Sequence, residues 1–494
     1  MENVLSKSGT NSKGLLWALL AALPLLLLSS AGGVYFLLLA ILVCLSVFYV
    51  ATSGPLKLSR IFDVPVYLTI FVLLNFGFAP LEALWDPDNM MVNLHGNLSV
   101  MNKALGFIVI GMIAFWLGCK LVERRTVQPR YVLPQENKAG RILAAGIILY
   151  LIGFASKLYL LKAHLFAYTA DLDLYKENLA NAQVFMFGAQ LSTMALIMLG
   201  IEKFSGKPRF GISFLFWTVF ASECVWGLIS GMKSMLLTNL LAVAVVSTLM
   251  GGKLARKWLI GAVVGLIVVY PFYNAYRAVV RSQATEGVSD FSSAATALNL
   301  AMTVGADAEG SNDEWVESGS THTLARLDLL QYFGAILNMG DEPKEFHGDA
   351  KLWMIPFYPF VPRLVWSTKP VLDDGTKFSV ALGSTETSST AITYPADCYI
   401  WGGLAGLIVG MFCLGLVAQR YTNSISGITS KYQVLKYSVI LLTCFRIEEG
   451  AFPLWTEILK VVPTIFVIGL IAYGFPSRNR VKQAGMSQAA TTSS

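Results

Sequence analysis

The chain has 494 residues, 55% of them hydrophobic and only 14% charged, and its mean hydropathy is +0.59. Soluble domains carry roughly 25% charged residues, so these figures exclude a soluble globular protein and indicate a polytopic membrane protein. The formal net charge of +6 is no sign of nucleic-acid binding, because excess Lys and Arg in such a chain mark cytoplasmic loops.

A membrane span needs about 20 mostly apolar residues. Taken in order, the apolar runs predict about twelve such spans, at 14–30, 33–53, 63–84, 103–121, 141–162, 184–202, 211–229, 234–250, 257–276, 396–418, 434–451 and 455–474. The first follows a short polar start with Lys7 and Lys13 and reads as a retained span, not a cleaved signal. The architecture expected is therefore all-α. Residues 1–276 hold nine spans, 277–395 form one large loop, 396–474 hold three more spans, and 475–494 form a tail.

Basic residues recur in alternate loops. They are Lys57 and Arg60; Lys120, Arg124, Arg125 and Arg130; Lys203, Lys207 and Arg209; Lys253, Arg256 and Lys257; Arg420 and Lys431; Arg478, Arg480 and Lys482. Positive loops favour the cytoplasm. Both termini are thereby placed inside and the 277–395 loop outside. Two shorter outer segments are expected at 85–102, with His95, and at 163–183, with Asp171, Asp173, Lys176 and Glu177.

Within the large loop, residues 304–320 are acidic and rich in Gly and Ser, the composition of a linker. Residues 321–338 predict an amphipathic helix capped by Thr321 or Thr323, with His322 and Arg326 on one face. The stretch 352–362 is too proline-rich for a regular helix, and its aromatics suit a membrane interface. Span ten begins at Asp397 and carries Gly402, Gly406 and Gly410, a spacing that admits a close neighbouring helix. Arg446, Glu448 and Glu449 lie in span eleven, where charges indicate a functional site or an ion pair holding two helices.

The six cysteines and four histidines are scattered. Neither a disulfide framework, a metal motif nor a nucleotide fingerprint is present, so no cofactor or metal is expected. What remains is a cationic outer loop bearing Arg277, Arg281, Arg326, Arg363 and Lys369. Arginine forks match phosphate oxygens, and fixed cations stabilise the charge that grows on a departing diphosphate. That chemistry suggests metal-independent activation of a lipid diphosphate. The alternative is that Arg277 and Arg281 are snorkelling anchors at a helix end. An acceptor hydroxyl needs a base, and His322 and Asp397 are the two candidates.

Topology, the paired arginines and the run Pro362-Arg363-Leu364-Val365-Trp366-Ser367-Thr368-Lys369-Pro370 together resemble Wzy-type oligosaccharide repeat-unit polymerases. The membrane re-entry from Tyr394 through Asp397 to Gly406 is similar to that family's. The resemblance implies a bacterial inner-membrane enzyme of C-type glycosyltransferase fold, working on the periplasmic face. It would polymerise undecaprenyl-diphosphate-linked repeat units into a surface polysaccharide, inverting at the sugar and needing no metal. Arg277, Arg281 and Arg363 would then hold the diphosphate, and a flippase and a chain-length regulator would be partners. An O-antigen ligase shares this topology and donor. A transporter or flippase would more often show inverted repeats around a midplane site, and a scaffold would not need clustered loop cations.

Overall fold

The computed structural model describes residues 33–54, 58–81, 98–123, 139–167, 178–206, 210–250, 291–307, 327–348, 350–361, 365–366, 368–370, 374–383, 390–425, 430–444 and 446–473, with isolated positions 18, 22, 23, 276 and 279. Among these residues the secondary structure is helical and no strand occurs. Seven described helices are long and apolar enough to cross a membrane, and two shorter apolar helices accompany them. The protein is therefore an all-helical membrane protein. The expected spans at 14–30 and 257–276 fall almost wholly outside the described residues.

In chain order the helices are α1 (Val34–Thr52), α2 (Val64–Val72, continued by a π turn to Phe78), α3 (Leu98–Val122), α4 (Ala139–Lys162), α5 (Leu179–Phe204), α6 (Phe210–Ile229) and α7 (Lys233–Leu249). The loop contributes α8 (Phe291–Asp307), α9 (Leu329–Asn338) and α10 (Asp374–Ala381). Then come α11 (Tyr394–Ile425), α12 (Lys431–Cys444) and α13 (Ala451–Tyr473). One core joins α1, α2, α3, α9 and α11 to α13 with one side of α4, α5 and α7, and α6 packs against α5 and α7.

The two most closely packed helices of that core, α3 and α11, run parallel. Gly111 faces Leu407 and Met411, Gly118 faces Phe412 and Leu416, Gly415 faces Phe115, and Asn423 Nδ2 donates to Val122 O at 2.6 Å. Contacts that advance together along both chains require parallel axes, and the glycines allow backbone to approach backbone. At the end where α3 and α11 finish, Lys431 pairs with Glu202 at 2.7 Å and Tyr437 Oη donates to Phe62 O. Residues from four of the basic loops are thus gathered at one end.

The start of α11 departs from expectation. Gly402 and Gly403 break the helix, Gly403 at φ 58 and ψ −149, a conformation open essentially to glycine alone. Tyr394 Oη donates to Gly410 O at 3.0 Å across sixteen residues, which an unbroken helix would hold about 24 Å apart. Cys398 lies on both Gly406 and Gly410. Residues 394–401 therefore double back along the helix that follows them. Gly406 and Gly410 make room for this same-chain segment, not for another helix, while 404–425, ~33 Å long at 1.5 Å per residue, is still long enough to cross a bilayer by itself.

Three further expectations change. α8 occupies 291–307, so the acidic stretch begins inside a helix, and 308–320 lie outside the described residues. The helix in 321–338 starts at Leu329, with Asp328 Oδ1 accepting from the Leu330 and Gln331 amides; Thr321 and Thr323 lie outside the described residues. Span eleven stops at Cys444, with 14 residues in α12, about 21 Å. Arg446, Glu448 and Glu449 belong to the short turn between α12 and α13.

A charge pair that the composition does not reveal lies between α4 and α6. Lys157 Nζ is 2.6 Å from both oxygens of Glu223, and both side chains are 1% exposed. Thr193 and Asn239 add hydrogen bonds to the Glu223 side chain and backbone. So complete a satisfaction is what an ion pair inside a membrane requires.

Candidate functional site

The doubled-back segment brings Asp397 under the loop. Its Oδ2 accepts from the amides of Ala451 at 2.6 Å and Phe452 at 3.2 Å, the first residues of α13. A carboxylate there satisfies two of the helix's orphan donors and complements its dipole. The approach depends on Gly450, at φ 100, where an added Cβ would lie 2.9 Å from Asp397 Oδ2 and 3.0 Å from Ile392 O.

The other oxygen of Asp397 faces a loop histidine that sequence reasoning passed over. His347 Nε2 is 3.1 Å from Asp397 Oδ1, out of hydrogen-bonding alignment, so this arm is an ion pair. His347 Nδ1 donates to Asp374 Oδ2 at 2.9 Å. The ring stacks on Trp401, centroids 4.0 Å apart and planes 10° apart. His347 closes the turn Glu342–His347, which α10 grips through Asp374, through Lys377 Nζ donating to Phe346 O, and through Phe378 against Phe346. Burial acts to lower the imidazole pKa, but the two carboxylates outweigh it and raise it from 6.5 to about 9. His347 is therefore a cation at neutral pH, shared by two anions.

A pH dependence follows. The folded pKa lies above the unfolded one, so the stabilisation is complete below about pH 6.5 and is lost as pH rises through about 9. A shift of this size corresponds to about 3 kcal/mol. Amide exchange across 342–381 is expected to accelerate between pH 7 and pH 10, after correction for intrinsic exchange. The acceleration should be absent in His347→Gln. Equal pH profiles for the two proteins would show that the histidine does not hold the loop.

Beside this cluster, joined to it through Phe452, lies an aromatic group. Tyr358 stands edge-on to Phe452 and to Trp366, and its hydroxyl donates to Pro370 O at 2.9 Å. Lys369 Nζ lies 4.2 Å from the Tyr358 ring centroid and donates to Val361 O at 3.0 Å. Lys369 thus ties Val361 to the segment 368–370, and its side chain is buried. Leu352, Trp353, Phe357 and Phe360 are exposed, as suits an interfacial segment.

Of the residues singled out from sequence, Asp397 and Lys369 meet at this site through Phe452 and Tyr358. Arg277, Arg281, His322, Arg326 and Arg363 lie outside the described residues. Arg446 pairs with Glu449 at 2.7 Å and with Glu457 of α13 at 3.3 Å, while Gln190 of α5 reaches the same Glu457 oxygen at 3.4 Å. This network ties the turn to two helices. His347 and Asp374 were missed because neither shows periodicity or a partner nearby in sequence. The one local sign was a histidine followed by Gly348, whose φ is 52, at the end of a short polar turn. Among the described residues no group of three or more His, Cys, Asp or Glu side chains is placed to hold a metal ion.

The fold and site together define a helical membrane protein with a buried polar cluster where α10, α11, α13 and the turn Glu342–His347 meet. Residues 67–448 match a family described as "Domain of unknown function (DUF8712)", and the chain belongs to that family. Comparison with curated proteins and with solved structures found no match.

Proposed function

We infer that the chain polymerises lipid-linked oligosaccharide repeat units. It would act at the end of the bundle where α3, α11 and α13 begin, which this reading makes the periplasmic face of a bacterial inner membrane. About twelve spans, cytoplasmic termini, and a flippase and chain-length regulator as partners belong to the same reading. The observation that carries it is the buried polar cluster of His347, Asp374 and Asp397, joined through Phe452 to Tyr358 and Lys369. Buried ionisable groups near membrane depth are retained where function needs them.

In the proposed reaction, a hydroxyl at the non-reducing end of an incoming unit attacks C1 of the sugar that joins the growing glycan to undecaprenyl diphosphate. The C1–O bond to diphosphate breaks as the new glycosidic bond forms on the opposite face, inverting C1. Arg277, Arg281 and Arg363 neutralise the departing diphosphate. His322 takes the hydroxyl proton. Asp397, held by two amides and His347, serves here as a positioning residue that fixes the floor, and Lys369 holds Val361, two residues before Arg363 in sequence.

The test is direct. The purified full chain in nanodiscs, given its host's undecaprenyl-diphosphate-linked repeat unit in EDTA, should yield a ladder of longer glycans and free undecaprenyl diphosphate. Absence of any product defeats the reading, and transfer only to a lipid A core or protein acceptor would make the chain a ligase.

A further inference from the structure

The loop segment 352–361 contains no charged residue, and it contains two prolines. Its backbone is a run of tight turns. The amides of Met354, Ile355, Phe357, Tyr358, Phe360 and Val361 each donate to a carbonyl of the same segment or of Lys351, at 2.8–3.2 Å. Pro356 and Pro359 have no amide to offer. From Met354 to Val361 no backbone donor is therefore left over. Irregular backbone is kept out of lipid because its unpaired polar groups find no partner there. The turns and prolines of this segment remove that obstacle for every one of its amides.

The segment has two apolar faces. The inner face, with Ala350, Met354, Ile355 and Tyr358, packs on Phe452 and Trp401. Trp401 stacks on His347, the Phe452 amide holds Asp397, and the Ala350 amide donates to His347 O at 3.0 Å. The outer face, with Leu352, Trp353, Phe357 and Phe360, is exposed, and a water-facing surface seldom carries so apolar a patch. Its surroundings say what covers it. Phe360 lines one dent together with Leu459, Val462 and Phe466 of α13. Val462, Phe466, Val467 and Ile471 point outward from an apolar span and so meet hydrocarbon. Tyr358 touches α13 at Phe452, whereas Leu459 lies about 12 Å further along from Ala451 at 1.5 Å per residue. The segment thus follows the flank of α13 downward, and its outer face continues the lipid-facing surface of that helix.

We propose that 352–361 is a membrane-seated strap. Its outer face lies against acyl chains at the headgroup boundary of the leaflet around the first turns of α13, and this lipid contact holds one wall of the His347–Asp397 cluster. In-plane elements of this kind reach about 5–10 Å into that boundary, a depth open to aromatic side chains standing on a turn. Lys351 at the near end is exposed, as suits a cation left among headgroups. The proposal is independent of the polymerase reading.

Two experiments on the full chain in nanodiscs test it. In the first, a nitroxide amino acid is placed at Phe357, and separately at Val467 on the lipid-facing flank and at Lys344 on an exposed turn. Collisions with oxygen, which concentrates in hydrocarbon, are compared with collisions with a water-soluble nickel chelate. The Phe357 label is expected to match Val467, with an oxygen-to-nickel ratio severalfold above that at Lys344. A ratio like that at Lys344 overturns the proposal. So does shielding from both reagents, which would mean that a second copy of the chain or another protein covers the face. In the second experiment, amide exchange is read in Phe357→Asp and Phe357→Leu. Phe357 is 58% exposed, so either change removes little contact within the protein. Aspartate, which acyl surroundings reject, should speed exchange by about tenfold or more over 354–361 and also over 342–348, while leucine should change neither. Exchange unchanged by aspartate, or accelerated equally by leucine, overturns the strap. Acceleration confined to 354–361 overturns its hold on the cluster.

Discussion

Alanine at Arg363, and separately at Arg281, is expected to lower the polymerisation rate by about 10²–10³-fold, the usual effect of deleting one preorganised donor from a site where negative charge develops. Long glycan chains would vanish from the cell surface while the protein accumulates normally. Tyr358 Oη bonds to Pro370 O and Lys369 Nζ bonds to Val361 O, so the described segments that flank Arg363 in sequence are tied to each other. Lysine at either position should recover little, because a point charge cannot reproduce a bidentate fork. Chain-length ladders on gels, read beside immunoblots, measure the effect. Unchanged ladders in both alanine variants would remove the proposed diphosphate site.

Loss of the Asp397 carboxylate is the second large effect. Asp397→Ala leaves the Ala451 and Phe452 amides without their acceptor and His347 with one counter-ion. Breaking a buried charge pair costs about 3–5 kcal/mol, and the lost cap adds about 1 kcal/mol. The first turn of α13 and the loop turn Glu342–His347 should both loosen, seen as faster amide exchange in two segments remote in sequence. Asp397→Asn separates the roles. It can still accept from the two amides but no longer balances the imidazolium, so α13 should stay protected while the His347 pKa falls. If Asp397→Asn leaves both the histidine titration and the rate untouched, Asp397 is a helix cap and nothing more.

Much of the architecture was written in composition. The apolar runs located most of the described long helices to within a few residues, because a span is specified by length and hydropathy alone, but they ran span eleven seven residues past Cys444 and stopped span ten seven residues short of Ile425. Three features escaped for three physical reasons. The break at Gly402–Gly403 sits inside a run whose hydropathy reads as one continuous span, and small-residue spacing does not say which chain segment fills the gap. Lys157 and Glu223 were invisible because each is a single charge in an otherwise apolar run, and only the packing of α4 on α6 makes them a pair. His347 and Asp374 meet across 27 positions, and nothing periodic links them. Asp397 was legible as a polar residue at a span's mouth, but its bonds to α13 depend on a tertiary approach that only Gly450 permits.

The helical hairpin at the start of α11 also imposes an order on biogenesis. Residues 394–401 are too few to cross a bilayer, so they cannot be inserted as an independent unit and must settle after 404–425 is in place. Their anchor, the amide pair at Ala451 and Phe452, emerges from the ribosome later still. The cluster around Asp397 therefore closes only when α13 arrives, and a chain released before Ala451 would lack the two amides that hold the Asp397 carboxylate.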